Sequence, residues 1–248
     1  MKRLVVLLLL LVVTAPLEAQ RRRRRDRDRV EDSLGNVEYG HEFTFVRLQY
    51  TPAFGPSWNP GWRHDYPYAE RNFAKIVEAV SYVEPYLGGS NILRLDDPEL
   101  FKYPLAYLSE PGYWTMNEAE VDGLRNYLLK GGFLIVDDFG GWDWQNFELQ
   151  MSRALPELRP MRMDMRHAIF NSFFDIRDIE FPYSYRGVAE FWGYFEDNDT
   201  AKRLIAIVNY NTDIGEFWEF SDSGFVPIDL TNEAYKLGVN YLMYAMLH

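Results

Sequence analysis

Apolar residues along positions 43–247 alternate between strand-like and helix-like spacing. Phe43-Thr44-Phe45-Val46-Arg47-Leu48-Gln49-Tyr50 alternates and is rich in β-branched and aromatic residues, which predicts a strand. Phe73, Ile76, Val77, Val80 and Val83 recur at helical spacing up to Pro85. Short strands follow over Asn91–Leu95 and Pro104–Leu108, ending in Asp96-Asp97 and Ser109-Glu110. Thr115 and Glu118 stand at capping-box spacing before a helix that places Val121, Leu124 and Leu128 on one face and stops at Gly131. Gly132-Phe133-Leu134-Ile135-Val136 reads as a fully buried strand with Asp137-Asp138 at its C-terminal end. A helix over 144–155 ends at Pro156. Strands over 188–195 and 203–209 flank the acidic turn Glu196–Asp199 and predict an antiparallel hairpin. The last helix runs from about Thr231 to Leu247, with Leu230, Ala234, Leu237 and Tyr241 on one stripe. Strands alternating with helices predict an α/β fold, a mostly parallel, doubly wound sheet covered on both faces.

Two stretches depart from this rhythm. Residues 51–68 hold four Pro, two Gly, two Trp and two Tyr, and predict a long loop without regular structure. At the N-terminus, Lys2 and Arg3 precede the apolar run Leu4–Val13, the Pro16 break and Ala19, which is the pattern of a secretory signal peptide over residues 1–19. The expectation is cleavage at Ala19–Gln20 and an exported protein of the periplasm or cell envelope. Arg21–Arg25 directly after the run resist translocation, so an uncleaved N-terminal membrane anchor is the alternative. Residues 20–41 read as a basic arm and linker, with anionic lipid as a possible contact of Arg21–Arg25. Side chains of residues 1–29 carry +6, so residues 30–248 carry −17 against a whole-chain charge of −11. An acidic body of that size repels nucleic acid, which is not expected as a partner. The chain has no cysteine. Disulfides, thiolate nucleophiles and cysteine-based metal or iron–sulfur sites are therefore excluded.

The strand Phe43–Tyr50, Asp96-Asp97-Pro98-Glu99-Leu100-Phe101 and the segment Leu124–Phe139 resemble the family called domain of unknown function 4159. His167-Ala168-Ile169-Phe170, Asn209–Gly215 and Lys236–Tyr241 extend the resemblance over roughly residues 42–248. That family in turn resembles the class I glutamine amidotransferase-like fold. The resemblance implies a flavodoxin-like sheet in a domain over 42–248 and a place in bacterial envelope systems, with envelope or membrane proteins as partners. The amidotransferase reaction needs a Cys nucleophile on a strand-to-helix turn. Here that turn presents Asp137-Asp138, so glutaminase chemistry by the cysteine mechanism is excluded. No Gly-x-Ser-x-Gly elbow replaces it.

Ligands of open α/β sheets bind beyond the carboxyl ends of the strands. The predicted ends present Asp96, Asp97, Glu110, Asp137, Asp138 and Asn209, the long loop adds Trp58, Trp62, His64 and Asp65, and Trp142 and Trp144 follow the acidic pair. Carboxylates beside aromatic rings suit a polyhydroxylated small ligand. One of Asp137 and Asp138 is expected to line the site with Trp62, His64 and Trp142 while the other holds the next loop, because adjacent strand residues face opposite ways. His167 is a further candidate. Asn209-x-Asn211-x-Asp213 begins like a calcium loop but has Ile214 where Gly is required, so no metal site is expected there, and no cofactor motif is present. The reading is a noncatalytic binding or assembly domain; the alternative is a hydrolase of glycans or other envelope substrates using these carboxylates.

Overall fold

The structure, a computed structural model, describes residues 35–55, 60–178 and 188–248. The expected signal peptide, the arginine arm and Trp58 lie outside those residues. In chain order the principal elements are β1 (Val46–Gln49), β2 (Thr51–Pro52), α1 (Tyr68–Val80), β3 (Asn91–Arg94), β4 (Leu105–Ser109), β5 (Trp114–Thr115), α2 (Glu118–Leu129), β6 (Phe133–Phe139), α3 (Asp143–Ala154), β7 (Met161–Arg162), β8 (Glu190–Phe195), β9 (Leu204–Tyr210), α4 (Ile214–Glu219) and α5 (Ile228–Leu247). The main sheet has the order β3-β1-β4-β6-β9-β8-β7. Its first five strands are parallel, and β8 and β7 extend it antiparallel. Numbered among themselves, the parallel strands run 2-1-3-4-5, the flavodoxin-like order, with the topological switch between β1 and β4.

Side-chain alternation divides the core in two. On one face Leu105, Tyr107, Phe133, Ile135 and Ile207 meet α1, α4 and α5 through Phe73, Val77, Phe217, Trp218, Leu237 and Tyr241. On the other, Ala106, Leu108, Leu134, Val136 and Val208 meet α2 and α3 through Val121, Leu124, Leu128, Phe147 and Met151. This is the doubly wound arrangement that the sequence predicts. Among the described residues no helix is long and apolar enough to cross a membrane.

Several local expectations need correction. The box that opens α2 is formed by Asn117 and Glu120, not Thr115 and Glu118. Thr115 is taken up in β5, where its Oγ1 donates to the Thr51 carbonyl. That pairing also gives residues 51–68 a short strand, and α1 starts inside the same stretch at Tyr68. Part of the expected linker is fixed: Asn36 and Val37 exchange side-chain and backbone hydrogen bonds with Ile92 and Asn91, covering the edge of β3. The short helix α4 was not anticipated; Asp213 caps it by accepting from the Glu216 N–H at 2.8 Å.

Candidate functional site

At the C-terminal end of β6 the strand register shifts between Val136 and Phe139, and Asp138 takes a left-handed backbone with φ 62°. This bulge breaks the alternation that would have sent Asp137 and Asp138 to opposite faces. Asp137 is fully buried, and its Oδ2 accepts from Tyr107 Oη at 2.7 Å and from the Gly215 N–H at 3.0 Å. It ties β4 to the start of α4. Asp138 turns back toward the helices on the same side, with its Oδ2 3.3 Å from Ser109 Oγ and 3.5 Å from His64 Nδ1.

His64 Nδ1 also lies 2.7 Å from Glu110 Oε1. Hydrogen bonds to Asp138 and Glu110 outweigh its partial burial and push the imidazole pKa up to about 10, so it is an imidazolium at neutral pH. Glu110 itself is raised by burial. Its turn is pinned by Tyr50, whose hydroxyl donates to the Glu110 carbonyl at 2.7 Å.

A second set shares Asp138. One carboxylate oxygen from each of Asp65, Asp138 and Asp213 lies within 4.8 Å of the others. Two unit charges at that distance repel by about 3 kcal/mol at an effective dielectric of about 20. Burial first, and the Asp138 charge second, hold Asp65 and Asp213 well above the usual carboxylate range. Asp137 is pushed up to about 7, chiefly by burial.

The loop carrying His64 and Asp65 is held from below by Arg47. This fully buried guanidinium pairs with Glu70, donates to the Trp62 carbonyl at 3.0 Å and lies 4.8 Å from the Tyr107 ring centroid. Burial opposes its charge, and Glu70 first, with Tyr107 and Asp65, more than restores it. Gly215 permits the close approach on the other side: a Cβ there would stand 2.6 Å from Tyr107 Oη and 2.7 Å from Asp65 Oδ2.

Asp65, Glu110 and Asp138 all have positive φ, at 63°, 48° and 62°. Non-glycine residues adopt this region at a cost of about 1 kcal/mol or more each. Three such residues meeting at one histidine or one carboxylate mark a place where geometry is maintained against local preference.

The other expected residues divide as follows. Trp62 is buried in the core that includes Tyr50 and Trp114, so its ring does not line the surface. Trp142 is exposed at the start of α3. The next residue, Asp143, is close enough to Glu110 for its charge to raise that carboxyl. Asp96 pairs with Arg94 at 3.1 Å beyond edge strand β3, separated from β6 by β1 and β4. Asn209 is buried, its Oδ1 accepting from Tyr241 Oη at 2.9 Å, and it belongs to the packing of α5. His167 packs against Phe195 and Tyr244 at the other end of the sheet, near the start of β9. Burial and the charge of His248 lower its pKa. It lines a recess of about 390 Å³ with Arg162, Asp164 and Arg166, away from the acids.

Asp213 belongs in the sequence to the incomplete calcium-loop pattern, which does not point to this cluster. The available signal was its spacing to Glu216, an Asp-x-x-Glu helix start.

No curated protein matches the chain in sequence. The model of the family described as Domain of unknown function (DUF4159) matches residues 44–246, a span that includes β1, all of α5 except its last residue, and every member of both clusters, and the chain belongs to that family.

Proposed function

We propose that this protein is a noncatalytic binding domain of the bacterial envelope, exported through its N-terminal segment, that holds a polyhydroxylated ligand at the switch point of its sheet. The observation that carries the reading is the His64–Glu110–Asp138 cluster at the carboxyl ends of β4 and β6 and in the loop after β1. Imidazolium and carboxylates there offer both donors and acceptors to hydroxyl groups. The exposed ring of Phe54 adds a stacking surface: it stands 5.0 Å from the half-buried Tyr113, whose hydroxyl is within the field of Glu110 and Asp138.

The carboxylate spacing favours binding over glycoside hydrolysis. Retaining and inverting enzymes place their two carboxyls about 5–9.5 Å apart across the scissile bond. Glu110 and Asp138 have oxygens within 4.8 Å of each other and clasp one imidazole between them.

Amide shift mapping by NMR against a panel of oligosaccharides is expected to move His64, Glu110, Tyr113 and Asp138. Asp138→Asn keeps the left-handed backbone that Asn tolerates, and is expected to weaken that binding about tenfold with a Tm change of only about 2 °C. Shifts confined to other surfaces, or a destabilised Asp138→Asn that binds normally, would overturn the reading. Export has its own measurement: the intact mass of protein from the envelope fraction should correspond to a chain starting at Gln20. A mass retaining Met1 supports the anchor instead.

A further inference from the structure

We infer that the switch point also holds one hard divalent cation, bound by the carboxylates of Asp65, Asp138 and Asp213. The inference rests on the switch point being the ligand site and names what lies on its floor. The three donor oxygens come from separate segments: the loop before α1, the bulged end of β6 and the cap of α4. Their mutual separation, within 4.8 Å, is about twice a Ca²⁺–oxygen bond of about 2.3–2.6 Å, so one ion fits between them with little movement.

Arg47 and His64, the basic side chains described beside the acids, already have partners. Arg47 is engaged by Glu70 and the Trp62 carbonyl, and His64 by Glu110 and Asp138.

A separate observation points to a ligand. Asp65 is half-buried as a residue, yet its Oδ2 is sealed from solvent and has no hydrogen-bond partner. This oxygen borders the space that Gly215 leaves by lacking a side chain, as do Tyr107 Oη and Asp213 Oδ1. A Cβ at Gly215 would be 2.7 Å from it and 3.5 Å from Asp213 Oδ1. Buried carboxylate oxygens are ordinarily hydrogen-bonded, and an unpartnered one within a group of three acids has the disposition of a metal donor. A set made only of carboxylates selects Ca²⁺, Mg²⁺ or Mn²⁺ over zinc. With three protein donors, the ion keeps positions for water or for paired hydroxyls of the ligand.

The test uses the full-length protein, stripped with EDTA and titrated with Mn²⁺ alone, with free Mn²⁺ read by electron paramagnetic resonance. One saturable site with Kd below about 1 mM is expected, displaced by Ca²⁺ or Mg²⁺. Asp65→Asn and Asp138→Asn should each weaken it about tenfold or more, while Asp96→Asn binds as wild type. Circular dichroism checks that each variant folds. If Asp138→Asn does not, Asp213→Asn, which preserves an acceptor for the helix cap, replaces it. Absence of a saturable site in the wild type, or Mn²⁺ binding unchanged in the folded variants, overturns the inference. No saccharide is present in this titration, so its failure leaves the oligosaccharide reading to its own shift map, and the reverse also holds.

Discussion

Glu70→Ala is expected to lower the unfolding free energy by about 3–5 kcal/mol. Arg47 and Glu70 are almost fully shielded from solvent, and the guanidinium stacks on Tyr107 between β1 and the loop that carries the site. Removing the carboxylate leaves a cation that burial disfavours, with the Trp62 carbonyl as its remaining acceptor in this loop. The uncompensated charge, more than the lost attraction, sets the size of the effect. The paired replacement Arg47→Met with Glu70→Leu should recover most of the loss, because it removes both charges and keeps the volume. Urea unfolding at neutral pH measures both variants. A loss below about 1 kcal/mol for Glu70→Ala would show that water reaches the guanidinium and that the pair is not a buried anchor. The same variant should loosen the segment holding His64 and Asp65, since Arg47 is what fixes the Trp62 carbonyl.

Gly123→Ala reverses the usual sign of its substitution. In an exposed helix interior, Ala in place of Gly stabilises by about 1 kcal/mol. Gly123 lies inside α2 where the helix crosses the end of β3. A Cβ there would stand 2.0 Å from the Leu95 carbonyl oxygen and 3.1 Å from Asp96 Cα. Both obstacles are backbone, so no side chain can rotate away. The helix has to move off the sheet, and overpacking of this kind costs about 1–3 kcal/mol. A net loss of about 2 kcal/mol in urea unfolding is therefore expected. A stability equal to or above wild type would mean that α2 sits farther from β3 than described.

Much of the architecture follows from local pattern. The buried run Phe133–Val136 has no polar residue to face solvent, so it becomes a central strand with helices on both sides. Gly131, with φ 115°, ends α2 where only a residue lacking Cβ turns easily. The hairpin of β8 and β9 and the long helix α5 follow from alternation and helical spacing in the same way. Short elements were less legible. β2, β5 and β7 have two residues each, too few for a period, and exist because a partner strand supplies their hydrogen bonds.

The candidate site divides along the same line. Sequence determined that carboxylates gather at the strand ends, that no thiol is available, and that Asp137-Asp138 terminates the buried strand. It also brought His64 and Asp138 into one expectation. Only the tertiary structure decided which acids meet. A one-residue bulge turns Asp138 against the strand alternation, and Asp65 and Asp213 reach it from segments 73 and 75 residues away along the chain. The same packing withdraws Trp62 and Asn209 into the core and sets His167 at the opposite end of the sheet. Periodicity reports which side of its own element a residue takes. The distance between two carboxylates depends on how elements far apart in the chain are packed, and on backbone conformations that tertiary contacts impose against local preference.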